Sequence, residues 1–309
     1  MVADFAIAFT YRSEVLAQIK AISRVDSKLV NFDQRQNIIL CNKYTRKALI
    51  LMFILVCVAY PTVGVLLSAL SGTSFDVVGH IAILYLQVVT GSFTVTLFVT
   101  AMILETRFKI VNGIFLKKVC PYNPNFCKKV KCLTNIHKNL IRISGTVNEV
   151  FAVHLLLVIT MSCFTLVVRV YSLVHAVIWD SVEELNNSMV SSLTSLTKTV
   201  FDLIMIARCS SKLCAEANRT KVIIMRTNLS ALQEDERDLV ILSSMQLEQA
   251  KLEVTACNFF NIDKSLLFTI CSVVFSYVFI VVQFDMGNIQ RNSNSTSITN
   301  LSKTPEEHF

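Results

Sequence analysis

The residues able to do chemistry are few and scattered. The chain has 309 residues, with five histidines and ten cysteines. His80, His154 and His175 fall in or beside apolar runs, and none has a second metal ligand three or four residues further on. They read as polar side chains facing a helix bundle. No GxSxG, HExxH or P-loop sequence occurs, so hydrolytic, zinc-protease and nucleotide-phosphate chemistry have no signature. The cysteines form no CxxC pair, and several sit inside apolar runs, which argues against a disulfide framework or a zinc site. The run CPYNPNFCKKVKC sets Cys120, Cys127 and Cys132 among lysines, a basic setting of the kind that reactive thiols use. On a reducing cytoplasmic side a solvated loop beside anionic lipid is the stronger reading. The expectation is a protein without metal, cofactor or catalytic residues, and not an enzyme.

Charges inside apolar runs are a second class of candidate, because they mark ion or proton paths in membranes. Lys198 and Asp202 lie four apart on one helix face, where they can neutralise each other facing a bundle interior. Arg169 lies near the end of its run and reads as snorkelling.

The elements that must position these residues follow from composition. Hydrophobic residues make up 53% and charged residues 17%, with mean hydropathy +0.56. Soluble domains carry about 25% charge, so this chain cannot coat a soluble globule of its size. Only seven glycines and four prolines interrupt it, which suits long helices. A bilayer core needs roughly 20 apolar residues as helix. Residues 48–70, 77–104, 150–178 and 262–284 meet that requirement, and 189–207, carrying Lys198 and Asp202, is a weaker fifth. A partly cytoplasmic or interfacial helix is the alternative for the fifth. The fold class expected is all-α, a polytopic helical membrane protein with about five transmembrane helices.

Charge distribution orients these spans. The net charge is +7. Lys and Arg crowd residues 12–47, 105–142 and 208–251 and are absent from 71–76 and 179–188. Basic segments favour the cytoplasm, so basic loops alternating with neutral ones put the N-terminus inside and the C-terminus outside. This pattern points to membrane lipid as a partner, and not to nucleic acid. The sequons at Asn186, Asn294 and Asn300 fall outside, and those at Asn218 and Asn228 inside. Residues 237–261 place Leu239, Leu242, Met245, Leu252 and Ala256 at helical spacing, which predicts an amphipathic cytoplasmic helix running into the last span. The organisation expected is a cytoplasmic N-terminal segment, 1–47, a transmembrane domain with cytoplasmic anchor helices, 48–284, and an extracellular disordered tail, 285–309.

The last span closes on SYVFIVVQF, residues 276–284. It resembles the end of the final helix of insect gustatory receptors: Thr-Tyr, five apolar residues, then Gln-Phe. Tyr277, Gln283 and Phe284 match, and Ser276 stands for the threonine. The lead-in NFFNIDKSLLFTI and the run TVNEVFAVHLLL, with its Asn-x-x-Phe at Asn148, are similar to other family segments. The resemblance covers roughly residues 1–285. It implies a seven-helix receptor, of which spans here resemble the third to seventh helices and residues 1–11 the tail of the second. The chain thus reads as an N-terminally truncated member.

The resemblance further implies a taste chemoreceptor subunit of the plasma membrane. It would be a ligand-gated, non-selective cation channel for a small-molecule tastant, assembled as a homo- or hetero-tetramer with other receptor subunits. Ser276, Tyr277, Ile280, Gln283 and Phe284 would then lie on the pore helix. The sugar-sensing branch places Glu after the tyrosine; Val278 stands there, which favours a bitter-type ligand. Two alternatives keep the same architecture: a secondary transporter, and a non-conducting receptor fragment. In microsomes, Asn294 and Asn300 should accept glycans while Asn218 and Asn228 do not. Asn→Gln gel shifts read this directly, and a glycan on Asn218 would invert the orientation.

Overall fold

A seam with a seven-residue repeat organises the fold. Phe126, Val130, Leu133, His137, Leu140, Ser144, Val147 and Phe151 alternate spacings of four and three, and all are buried. Such a repeat keeps one stripe of a long helix against its neighbours. The computed structural model describes residues 17–30, 32, 35–54, 58, 62, 77–118, 126–179, 182–226 and 232–301. Its helices are α1 (17–30), α2 (Arg35–Ile54), α3 (Val77–Lys118), α4 (Phe126–Trp179), α5 (Val182–Met225), α6 (Glu234–Gln249) and α7 (Lys264–Leu301). A two-stranded antiparallel hairpin, β1 (Thr255–Ala256) and β2 (Phe260–Asn261), separates the last two helices.

Among the described residues, three helices are long and apolar enough to cross a membrane: Val88–Leu116, Phe126–Val177 and Lys264–Gly287. Most of the expected span 48–70 lies outside the described residues, as do residues 1–11. The expected span 189–207 is helical within α5 but is not among the three. Lys198, Asp202 and a run of Ser and Thr lower its apolar character.

Length separates each long helix into two parts. The 54 residues of α4 extend about 80 Å at 1.5 Å per residue, against a hydrocarbon core of about 30 Å. Lys128, Lys129, Lys131, Lys138 and Arg142 fall in its first half, 126–149, which is the part that projects beyond the membrane. The tightest core lies there. Leu104, Phe108 and Val111 of α3, Leu133 and Leu140 of α4, and Leu29 of α1 are fully buried.

Arg107, Asn112 and Thr220 are buried polar groups near this core, each held by a specific partner. Arg107 grips Asp26 of α1 through Nε and Nη2, at 3.0 and 2.9 Å, and Nη2 also donates to Asn42 of α2 at 2.6 Å. Thr220 donates to Asn112 Oδ1 at 2.6 Å, and Asn112 donates to the Glu216 carbonyl at 2.9 Å. Specific polar contacts of this kind fix one register among helices whose apolar faces would otherwise slide.

The amphipathic helix expected over 237–261 is shorter than the pattern implied: α6 ends at Gln249. Two side-chain amides capture the backbone beyond it. Asn218 accepts from Leu252 N–H and donates to Leu252 C=O, both at 3.1 Å. Asn148 accepts from Thr255 N–H at 3.1 Å and donates to its hydroxyl at 3.3 Å. The chain then reverses through Cys257 and Asn258, at φ of 50° and 61°, closed by Phe259 N–H to Ala256 C=O at 2.9 Å. Positive φ at both central residues suits a hairpin. Asp263 caps α7, accepting from Ser265 and Leu266 N–H at 2.9 and 3.1 Å. The tail, expected disordered from 285, continues α7 as helix to Leu301.

His137 occupies the heptad seam within the projection. It is 1% exposed, and Nε2–H donates to the Ala217 carbonyl at 3.0 Å. Phe108 meets its ring edge-on at 5.2 Å. Burial pulls its pKa from 6.5 down to about 4, with the Ala217 hydrogen bond opposing. The folded state holds the neutral ring, and the unfolded chain takes a proton below about 6.5. Stability from this group is therefore complete above that value and is lost as pH falls towards 4, by roughly 3 kcal/mol. Thermal unfolding of the detergent-solubilised protein should show a midpoint falling across that window. His137→Leu should flatten the fall; parallel curves for the two proteins would refute the assignment.

Candidate pore helix and its supporting cluster

The membrane part of α7 has a narrow packed stripe and a wide bare one. Ile270, Val274 and Val278, four residues apart, are buried against the bundle formed by α4 and α5. Phe268, Phe275, Tyr277, Phe279, Ile280 and Phe284 stand exposed, Phe284 at 71%. Only 17% of the most apolar stretch is buried within the chain. A helix this apolar and this little covered must face lipid, another chain, or both.

The closing motif lies on this helix. Ser276 Oγ donates to the Ser272 carbonyl at 2.9 Å, so its hydroxyl is occupied within the helix. Among the described residues, Tyr277 and Gln283 have no hydrogen-bond partner, and both are exposed. They therefore do not fasten α7 to the rest of its own chain. Helical spacing brings Ser276, Ile280 and Gln283 to one face, and Phe284 adjoins it. The far end is held by Tyr171 of α4, whose hydroxyl donates to Asp285 at 2.9 Å. The near end is held by the hairpin and the amides of Asn148 and Asn218. An uncharged amide with free donor and acceptor, among bulky apolar side chains, can exchange for the hydration shell of a small ion or polar solute.

The other candidates fall elsewhere. Lys198 and Asp202 meet at 3.7 Å on α5. Asp202 shares the lining of a small cavity, about 40 Å³, with Ser144, Asn148 and Ser210. That places the ion pair behind the pore-helix support, not on α7. His154 joins α4 to α3, its Nε2 3.5 Å from Thr94 Oγ1 and its ring 5.3 Å from Phe93. Among the described residues no cluster of three His, Cys, Asp or Glu is placed to hold a metal. Cys127 and Cys132 are free thiols at the start of α4; Cys120 lies outside the described residues. Asn186 is on α5 and Asn294 and Asn300 are on distal α7, with side chains beyond description. Asn228 lies outside the described residues. Asn218, the inner sequon, has its amide engaged with Leu252 on both sides.

Sequence reasoning did not single out Asn148 as a clamp, nor Asn218 except as a silent sequon. Their partner is backbone, which leaves no pattern in side-chain types. A detectable trace existed only in the Asn-x-x-Phe run.

Comparison with known proteins agrees with this architecture. The family model described as 7tm Chemosensory receptor matches residues 6–288. Gustatory receptor 28a of Drosophila melanogaster is 26% identical over 182 residues, 58% of this chain and 40% of that protein. High-energy light unresponsive protein 1 of Caenorhabditis elegans is 37% identical over 70 residues, 21% of this chain and 16% of that protein. The chain thus spans well under half the length of these relatives. The insect olfactory receptor OR5 from Machilis hrabei, solved alone and in complex with eugenol, shares the fold. Its TM-score is 0.62 at 12% identity, covering 82% of this chain and 69% of that one. With its long apolar helices, its bare terminal helix and a family match across most of its length, this multi-pass membrane chain belongs to the 7tm chemosensory receptor family.

Proposed function

We propose that this chain is a gustatory receptor subunit that forms a ligand-gated, non-selective cation channel in the plasma membrane. The observation that carries the reading is α7: an apolar helix fastened by one stripe and both ends, with Gln283 unpaired on its bare side. Four such helices around an axis would cover their apolar faces and leave a ring of amides in a water path. The tetramer, homomeric or with other receptor subunits, is part of the proposal. So is the orientation, N-terminus inside and C-terminus outside, which rests on the alternating basic segments.

The ligand proposed is a small-molecule tastant of bitter type. Position 278, where the sugar-sensing branch resembled above carries Glu, is Val278, 7% exposed in the packed stripe. A carboxylate there would be buried against apolar neighbours at a cost of several kcal/mol without a partner, which supports a ligand other than a sugar. The solved complex of the Machilis hrabei receptor with eugenol supports a small organic ligand for the shared fold.

Gln283 supplies the test. An arginine at this position would put fixed positive charge in the path. A like charge about 5 Å from a cation costs roughly 3 kcal/mol at an effective dielectric near 20, over a hundredfold in occupancy. Gln283→Arg should abolish cation current, and Gln283→Glu should favour divalent entry or block. Patch clamp with parallel measurement of surface expression reads both. Variants that reach the surface and conduct with parental selectivity would remove Gln283 from the pore.

A further inference from the structure

Two features meet just before α7. The first is the pair of attachments on the chain that leads into it. Asn148 of α4 holds Thr255, and Asn218 of α5 holds Leu252. The two held residues are three positions apart, a reach of at most about 10 Å when fully extended. Lys251–Val254 is neither helix nor strand. So short a piece has little slack with which to absorb sliding of α4 along α5.

Beyond Thr255 the chain is tied almost residue by residue. Thr255 pairs with Asn261 and Ala256 with Phe260. Ile262 N–H donates to Val254 C=O at 2.8 Å, and the Thr255 hydroxyl donates to Asn258 Oδ1 at 3.0 Å. Ala256 and Ile262 are buried. The helix begins at Lys264, with Asp263 capping its first turn. Hairpin and helix start therefore form one stiff piece. Farther along, Ile270, Val274 and Val278 make the buried stripe. Apolar contacts have no preferred direction, so that stripe resists separation more than it resists a small turn of α7.

The second feature is a packing defect. The cavity of about 40 Å³ is lined by Asn148 itself and by Val254, which lies between the two held residues. Ser144 of α4 and Met205, Ser210 and Leu213 of α5 also border it. Protein interiors are close-packed, so a void is a place where neighbouring elements can shift before their atoms overlap. This one lies between the two helices that carry the amides.

We propose that the amide clamp regulates α7. A shift of α4 against α5, taken up in the cavity, draws Leu252 and Thr255 in different directions and turns α7, changing the residues that its bare side presents. Control of conduction by this route rests on the reading of α7 as the pore helix; the mechanical coupling does not. Asn148 and Asn218 are positioning residues, placed on other helices and acting through backbone. Releasing either amide leaves the segment following one helix alone, so relative movement of α4 and α5 no longer reaches α7.

The test uses the full chain in lipid nanodiscs, with accessible native cysteines replaced by serine and a nitroxide attached singly at Val274, Phe275, Val278 or Phe279. Oxygen dissolves in lipid, so its collisions with the label are few on the packed stripe, at Val274 and Val278, and many at Phe275 and Phe279. Ser210→Leu fills the cavity and Leu213→Ala enlarges it. Each should change the contrast between the two stripes about twofold, the low end of coupling within one contact network, and in opposite directions. With Asn148→Leu or Asn218→Leu in place, the same cavity changes should leave the contrast unmoved. Asn148→Asp and Asn218→Asp keep the acceptors for the Thr255 and Leu252 N–H groups and should keep the response. A response that survives both Asn→Leu variants would overturn the coupling, as would no response to either cavity variant in the parent. A clamp that serves stability alone would lower the unfolding midpoint of the Asn→Leu variants and leave the response intact. A water-soluble nickel chelate reads a label at Gln283 separately: its exclusion there would refute the pore reading and leave the coupling result standing. Size-exclusion profiles matching the parent show that each variant is folded.

Discussion

Two side-chain amides hold the backbone that aims α7. Asn218 of α5 and Asn148 of α4 make four hydrogen bonds to Leu252 and Thr255, each contributing about 1 kcal/mol net. Those bonds stop α6 at Gln249, allow the reversal through Cys257 and Asn258, and set where Asp263 begins α7. If the helix ran on instead, α7 would continue the direction of α6 and its packed stripe would miss α4. The clamp joins α4 and α5 to the one helix proposed to line the ion path. The lead-in to α7 is thereby tied to α4 and α5 by side-chain amides.

The two halves of the molecule are stabilised by different physics. In the projection, water is present and apolar burial is strong, so Leu133, Leu140 and Phe108 pack fully and the polar pairs are enclosed between them. In the membrane half, lipid is as apolar as Leu, so burial drives little association and packing stripes are narrow. The exposed Phe275, Phe279 and Phe284 follow from that. The projecting half therefore fixes the architecture, and the membrane half leaves apolar surface such as the bare face of α7 uncovered within the chain.

Much of this was legible in the chain. Long apolar runs gave the helices of α3, α4 and α7, and the terminal motif indicated the family that the wider match then showed. The i,i+4 spacing of Lys198 and Asp202 predicted their pairing. What stayed hidden had one of two causes. The break after Gln249 depends on backbone captured by amides from residues over 30 and over 100 positions earlier, at Asn218 and Asn148; the local apolar spacing through Leu252 and Ala256 is genuinely helical and was overruled by that tertiary contact. The helix beyond residue 285 ran against composition: Ser, Thr and Asn disfavour helix interiors, and α7 nonetheless extends to Leu301.

The central claim is that the bare face of α7 lines a water-filled path while the opposite stripe packs within its own chain. Cysteine substitution along α7, in a chain whose exposed Cys132 and Cys271 are replaced by serine, tests it most directly. Under voltage clamp with ligand present, a cationic thiol reagent should block current at Ile280→Cys and Gln283→Cys and leave Val274→Cys and Val278→Cys unmodified. Equal reactivity on both stripes, or block at Val274→Cys with none at Gln283→Cys, would contradict the account.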